Sequence, residues 1–507
     1  MSNYLMGIDN GGTLTKAAIY DLSGREVAIA ERRIDMVFPQ PGHTERELSA
    51  VWEANVGAIR DAISSSGVSP EEIAAVAITG HGNGLYLIGP NGEIPDRGIN
   101  STDTRAQDFI ARWREDGTAG KVYERSLIDL YAGQPPALLA WYQQERPDVL
   151  DKTRWFVCCK DYVRYRLTGQ VNTEVTDLSG TGLVNAWTKS LDPEIFKLYG
   201  IEEQREKVPP TIASDQIGGY VTPEAAAETG LSEGIPVAGG LFDIVSAAIA
   251  SGVTEPSLFC VVGGTWSINE FISTEALPSG DLSMHCQYCM PGYYLVPEAS
   301  PTSASNLEWF VSNLLLREDD PPEMRQRLFA ECNAAVEASS PEDSDIVFFP
   351  FLFGSNTIQS ASAAFLGLSG WNSRGQVIRA IYEGVAFSHK VHMDRLLAHA
   401  PVPPRSIRAA GGITKSPVWL QMFADVLGYP VETTESSELG ALGAAMAAGV
   451  AAGVYSSFED AAAKTVRVGD RYEPIPSNSK IYKEKYARFS ADLDKMTALW
   501  ASHGGAT

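Results

Sequence analysis

A chain of 507 residues exceeds what one hydrophobic core serves, and 44% hydrophobic with 20% charged residues is the balance of an ordinary globular protein of two or three domains. A formal net charge of −23 excludes a nucleic-acid partner, which needs a basic face, yet leaves room for a nucleotide held by backbone N–H groups, helix N-termini and Mg²⁺. The start of the chain lacks a basic, then apolar leader, the most apolar stretch (441–454) is too short for a bilayer, and six cysteines in so long a chain form no disulfide framework, so a cytoplasmic protein with no membrane partner is expected.

In chain order, 4–34 reads as strand, glycine turn, strand, turn, strand, with alternation that suits a hairpin. Apolar residues at helical spacing over 45–63 predict a helix ending at Gly67. Residues 73–79 predict a buried strand running into the polar loop 80–84, followed by a strand at 85–88. Helices are expected over 103–113, 137–144 and 160–168, and 177–220 reads as loop-rich. A composition shift at 252–256 is the candidate hinge, dividing the chain into 1–252 and 253–507. In the second half, 306–316, 374–399, 417–427, 437–448 and 480–500 predict helices, and 406–410 predicts a strand. Both halves open with strand, Gly-Gly-Thr and strand, the pattern of an internally duplicated α/β fold.

Asp9-Asn10-Gly11-Gly12-Thr13 is a turn whose glycines let backbone N–H groups converge on phosphate oxygens. Asp9 is placed to hold Mg²⁺ through water, and Lys16 to offset phosphate charge. A plain glycine-rich hairpin with a salt-bridged Asp explains the same residues taken alone. The repeat at Gly263-Gly264-Thr265 and the Gly411-Gly412 turn between a strand and a helix make a nucleotide clamp the better account. Asp243, flanked by Leu241, Phe242, Ile244 and Val245, is the sharpest single residue, since a carboxylate in apolar company is rare unless used. It serves either as an N-cap or as the base that takes a proton from a hydroxyl attacking a γ-phosphate, and the two roles are compatible. His81-Gly82-Asn83 and Asp103-Thr104-Arg105 offer directional partners for a polyhydroxy substrate. Each also has a structural reading, as a structural histidine and as a helix-start carboxylate with a surface partner. His285-Cys286-Gln287-Tyr288-Cys289 holds one CxxC without a second pair, which leaves a zinc role unsupported, and Cys158-Cys159 is expected in an apolar strand.

These stretches together resemble the FGGY carbohydrate kinases over essentially the whole chain. The resemblance rests on the glycine-rich head, Gly239-Gly240…Asp243, Gly264-Thr265, the segment from Gly411-Gly412-Ile413-Thr414-Lys415 to Leu427-Gly428, and Glu438-Leu439-Gly440-Ala441-Leu442-Gly443. It implies two actin/hexokinase-like domains with ribonuclease-H-like cores and an interdomain cleft for Mg²⁺ and ATP. Within it, Asp243 matches the catalytic base and Asp9 the metal-linked acid, with Asp243 also near the metal. Gly11, Gly12, Thr13, Lys16, Gly264, Thr265, Gly411, Gly412 and Lys415 match the nucleotide and phosphate set, and Asp103 and Arg105 the substrate loop. Ser101-Thr102 stand where typical members carry a tryptophan, and Gly82-Asn83 replace the Met-His of xylulokinases and the Arg-Glu of glycerol kinases. The block Gly240-Leu241-Phe242-Asp243, which brings Phe242 to the substrate, and 298–310, 350–356 and 380–389 look most like the branch acting on L-xylulose and 3-dehydro-L-gulonate. The expectation is therefore an ATP-dependent sugar kinase acting on a primary hydroxyl of a ketopentose-type sugar. Alternatives are a D-xylulose, D-ribulose or erythritol kinase of the same family, and an actin-like ATPase module that binds proteins. A homodimer is the default assembly by frequency alone.

Overall fold

The N-terminal residues fold back on themselves as β1 (Tyr4–Asn10), β2 (Leu14–Asp21) and β3 (Glu26–Arg33), an antiparallel meander in which Asp9 faces Lys16 across the first hairpin. The structure is a computed structural model that describes residues 3–356, 358, 360–436 and 438–503. β4 (Ile73–Gly80) lies parallel to β1 on its other side, so β1 is flanked on both edges and is apolar almost throughout. β5 (Ile217–Tyr220) and β6 (Pro236–Ala238) extend the sheet to the order β5-β6-β4-β1-β2-β3. Its core includes Met6, Ile8, Ile19, Val76, Ile78 and Val237, with Val51, Trp52 and Ile59 from the helix Leu48–Ser66 laid against it.

The same pattern of pairing recurs in β7 (Leu258–Gly263), β8 (Ser267–Ser273), β9 (Ser406–Ala410), β10 (Val431–Thr434) and β11 (Val468–Tyr472), in the order β8-β7-β9-β10-β11. β7 is antiparallel to β8 and parallel to β9, as β1 is to β2 and β4, and the outer pair β10·β11 is antiparallel like β6·β5. Each Gly-Thr turn thus joins the central strand of a sheet to its antiparallel neighbour.

Two contact units account for the chain. One holds everything up to Thr254 together with Ile272–Val296 and Glu438–Val466; the other holds Glu255–Phe271, Pro297–Ser437 and the chain from Arg467. A single cut at 252/253 comes within two residues of the first crossing but does not contain the two later returns. The last return brings the helix Leu439–Ala451 onto β1 at backbone distance: a Cβ on Gly7 would stand 1.8 Å from Ala441 O, and one on Gly443 2.4 Å from Ser246 O. Only small residues permit that approach, which is the physical reason for the Ala/Gly run.

Several helices fall where spacing and caps put them. Arg374–His399, Pro417–Leu427 and the strand Ser406–Ala410 match residue for residue, with Ser373 and Ser416 as side-chain caps. The helix expected at 437–448 is Leu439–Ala451, Ser437 lying outside the described residues, and that expected at 480–500 runs Pro476–His503. The helix expected from 103 starts only at Gln107, because Asp103 and Arg105 are held in a loop. Residues 306–316 divide into Ser305–Phe310 and a π-helical turn, Val311–Leu315. The stretch 177–220 is less loop-like than expected: Pro193–Tyr199 is a helix capped by Asp192, with proline in its first turn and Gly200 in the left-handed conformation after its end. Cys158 and Cys159 are buried as expected but not in a strand; Cys158 precedes, and Cys159 begins, the helix Cys159–Thr168.

Candidate active site

In the first unit, Asp243 is the opening residue of the helix Asp243–Ala250, and Phe242 occupies the cap position. The N-cap reading of Asp243 is therefore corrected: its Oδ1 accepts from the adjacent Ile244 N–H, at 2.8 Å, rather than from a residue further into the helix. The two residues before it are pinned from both sides. Leu241 and Phe242 pair with the end of β4, Thr79 Oγ1 donates to Leu241 O at 2.8 Å, and Phe242 N donates to Thr176 Oγ1 at 2.9 Å. Burial, then the charges of Asp9 and Asp177, raise the Asp243 carboxyl well above the ordinary carboxylate range.

Asp9, the last residue but one of β1, lies against the start of the helix Leu439–Ala451, where Gly440 leaves space for its carboxylate. Burial pushes its carboxyl up to about 6, with Lys16 opposing and Glu438 adding to the shift. Lys16 Nζ meets Glu438 Oε2 at 2.7 Å, and Ser246 Oγ donates to Gly440 O at 2.8 Å, so the returning helix, the Asp243 helix and the first hairpin are tied together. Among the described residues no group of three or more His, Cys, Asp or Glu is arranged to hold a metal, which includes His285, Cys286 and Cys289. One or two carboxylates are nonetheless the sparse donor set that Mg²⁺ takes when phosphates supply its other oxygens, and a bound cation would favour the ionised form that burial disfavours, so Asp9, and Asp243 with it, fit that ion.

The turn Gly11-Gly12-Thr13 is open above: a Cβ on Gly12 would meet nothing within 4 Å. Its carbonyls are occupied from below by Arg46, whose Nη2 donates to Gly11 O at 3.1 Å and to Gly12 O, while Ile34 N donates to Thr13 O at 2.9 Å. Asn10 and Asn55 exchange amide hydrogen bonds beneath the same turn.

The polar loops differ from one another. His81 is buried and neutral, its proton affinity pushed down to about 3 by burial and then by Arg46; its Nε2 lies 3.3 Å from Asn100 Nδ2 and 3.4 Å from Tyr86 Oη. Gly82 packs so closely on the Phe242 ring and on Asp177 that a Cβ would stand 2.5 and 2.8 Å from them. Asn83 is buried in the left-handed conformation (φ 62°), and its Oδ1 has no hydrogen-bond partner among the described residues. Asp103 and Arg105, by contrast, close on each other in a bidentate pair of 2.9 and 2.8 Å, with Thr44 N at 2.6 Å from Asp103 and Glu45 Oε1 at 2.7 Å from Arg105. Both side chains are buried in this network and neither opens the helix, which starts at Gln107, so a helix-start carboxylate with a surface partner is not what forms here.

Composition and spacing gave no sign of the charges behind Gly82. Lys160, fully buried, lies 2.8 Å from Asp161, 3.3 Å from Glu174 and 3.3 Å from Asp177, and Arg164 lies 2.7 Å from Asp161. Glu174 caps the helix Val175–Ser179 that carries Thr176 and Asp177. Burial, opposed by Lys160 and aided by Asp161 and Glu174, pushes Asp177 up to about 7.

In the second unit the two glycine turns meet. Gly411 is left-handed (φ 79°), and a Cβ there would stand 2.9 Å from Gly263 O. A Cβ on Gly264 would meet nothing within 4 Å, the open surface a phosphate needs. Thr265 and Lys415 are exposed, and Gly412–Lys415 forms a 3₁₀ turn into the helix Pro417–Leu427. Ser305 fixes the Gly264-Thr265 turn, its N–H donating to Gly264 O at 3.3 Å and its Oγ to Thr265 O at 3.0 Å. Behind it, Ser303 Oγ lies 2.7 Å from Nε2 of the buried His389, whose Nδ1 lies 2.9 Å from Asn269 Oδ1.

Residues 4–250 match the FGGY family of carbohydrate kinases, N-terminal domain, and residues 259–452 match its C-terminal domain. The chain is 36% identical over 498 residues to a probable L-xylulose kinase of Pasteurella multocida, covering 98% of this chain and 100% of that protein. It is 35% identical over 491 residues to the L-xylulose/3-keto-L-gulonate kinase of Escherichia coli, covering 96% of each. The structure of xylulose kinase from Rhodospirillum rubrum superposes with a TM-score of 0.86 at 25% identity, covering 98% of this chain and 100% of that one. The mixed, two-domain architecture expected from the sequence is the one these proteins share.

Proposed function

Since the chain belongs to the FGGY family of carbohydrate kinases and is thereby a sugar kinase using ATP, we propose that it phosphorylates a primary hydroxyl of L-xylulose or of its sugar-acid relative 3-dehydro-L-gulonate (3-keto-L-gulonate). The single observation that carries the chemistry is Asp243: a recessed carboxylate at the first turn of a helix, pinned at Leu241 and Phe242, with Asp9 and Asp177 raising its proton affinity. Such a group takes the hydroxyl proton as the oxygen attacks the γ-phosphate. The first unit supplies this base, Asp9 for Mg²⁺ and the open Gly11–Thr13 turn for phosphate; Lys16 balances Glu438 beside it. The second supplies Gly264, Thr265, Gly411, Gly412 and Lys415 for the nucleotide. When bound, Mg²⁺ neutralises charge on the transferred and adjacent phosphates.

His81, Asn83 and Phe242 are the sugar-facing set in this reading, with Gly82 there to let the loop pass close over Asp177 and Phe242. Asp103 and Arg105 shape the neighbouring loop through their mutual pair. A cytoplasmic site of action belongs to the same proposal, supported by six buried cysteines that form no disulfide among the described residues. Among the described residues no helix is long and apolar enough to cross a membrane. Homodimerisation is likewise part of the proposal on frequency alone.

The test has two arms. Asp243→Asn is expected to lower kcat by at least ~10² with ATP binding retained, in line with general-base losses, and near-normal turnover in that variant sinks the assignment. A coupled ADP-release screen across ketopentoses, sugar acids and polyols is expected to give its highest kcat/KM with L-xylulose or the 3-keto acid. Preference for D-xylulose, D-ribulose or erythritol reassigns the substrate, and ADP release indifferent to every sugar removes the kinase reading itself.

A further inference from the structure

Arg46 is 0% exposed, and its guanidinium makes no ion pair with a carboxylate among the described residues. Its contacts are the carbonyls of Gly11 and Gly12, Met36 Sδ at 3.5 Å and Cys159 Sγ at 4.0 Å. A buried cation left without a counter-charge is costly and needs an account. The account lies on the other side of the peptides it touches. Donation to Gly11 O polarises the peptide whose N–H belongs to Gly12, and donation to Gly12 O polarises the one whose N–H belongs to Thr13. Neither of those N–H groups donates to a backbone acceptor among the described residues, and the space above Gly12 is open.

We propose that Arg46 is a positioning residue of phosphoryl transfer: it holds the Gly11–Thr13 turn in shape and sends its charge through two peptide groups to the phosphate that the turn receives. The inference rests on the reading of that turn as a phosphate loop. Arg46 touches no reacting atom. It makes the turn's N–H groups stronger donors where negative charge gathers, and that charge supplies the counter-ion the guanidinium otherwise lacks.

Arg46→Gln keeps donors for the carbonyls and removes the charge, whereas Arg46→Lys keeps the charge. The glutamine variant is expected to lose about tenfold or more in kcat, with KM for the sugar within about twofold of the parent, while the lysine variant stays within about threefold. Independently of turnover, sodium tripolyphosphate should raise the melting temperature of the parent and of Arg46→Lys, against sodium chloride at equal ionic strength, and should fail to do so for Arg46→Gln. Equal behaviour of the two variants in either measurement reduces Arg46 to a brace and overturns the proposal. If Arg46→Gln does not fold, Arg46→Lys decides: a folded lysine variant that loses more than about tenfold in kcat overturns it. Parent protein that releases no ADP with any sugar would instead refute the kinase reading, a different failure.

Discussion

Gly440 gives the place of its missing side chain to Asp9: a Cβ there would stand 2.3 Å from Asp9 Oδ2 and 2.8 Å from its Cγ. The carboxylate can sit at the start of the helix Leu439–Ala451 only because nothing projects from that residue. Gly440→Ala is expected to keep the fold while pushing Asp9 aside, and a displacement near one ångström lowers kcat by about 10²-fold. Steady-state kinetics beside a melting curve check it; unchanged turnover would mean that the position of Asp9 is not critical.

Asp9 itself is held at a cost. Its carboxyl rises from the ordinary 3.8 to about 6 in the folded protein, so between those values the folded state binds the extra proton. Stability contributed by this group therefore falls as pH rises through that window and stays low above it. Asp9→Asn, which cannot ionise, should be more stable than the parent above pH 6 by about 1–3 kcal/mol, discounted for partial solvent access, with the gain fading towards pH 4. Denaturant unfolding at two pH values measures the difference, which should accompany loss of turnover. A pH-independent difference contradicts it.

Asp177 acts on the base from behind the Gly82 loop. Where Asp177 is ionised, its charge raises the proton affinity of Asp243, so Asp177→Asn is expected to move the acid limb of the kcat/KM profile to lower pH. Both variant and parent need the full profile, because the single-pH rate mixes this shift with any change in substrate contact. A shift in the opposite direction would show that Asp177 does not face Asp243 as a charge.

What could be read from the sequence was local. Glycine turns, Ser and Pro at helix starts, and a carboxylate among apolar neighbours mark positions whose chemistry is decided within a few residues, and Asp9, Asp243, Gly264 and Gly411 are singled out that way. Arg46 and Asp177 are not, and Glu438 and Gly440 enter only through the family resemblance, because each works through a partner far along the chain: Glu438 meets Lys16 from 422 residues away. The pair Asp103 and Arg105 shows the converse. Two residues apart, they satisfy each other, and a motif that looked ready for substrate is mostly self-contained. Pro193–Tyr199 carried readable signals, Asp192 before and Gly200 after, and was lost only in a segment dominated by turns.

The late return of Glu438–Val466 to the first unit has a bearing on how the protein is made. β1 is synthesised well before its cover, since the helix that covers Gly7 arrives more than four hundred residues later. At about 5–20 residues per second, a ribosome takes on the order of tens of seconds between finishing residue 254 and delivering that helix. For that time the nascent first unit carries an uncovered apolar sheet face. It is a natural client for a chaperone, and a fragment ending at 254 would be expected to share its exposed surface with other copies rather than fold alone.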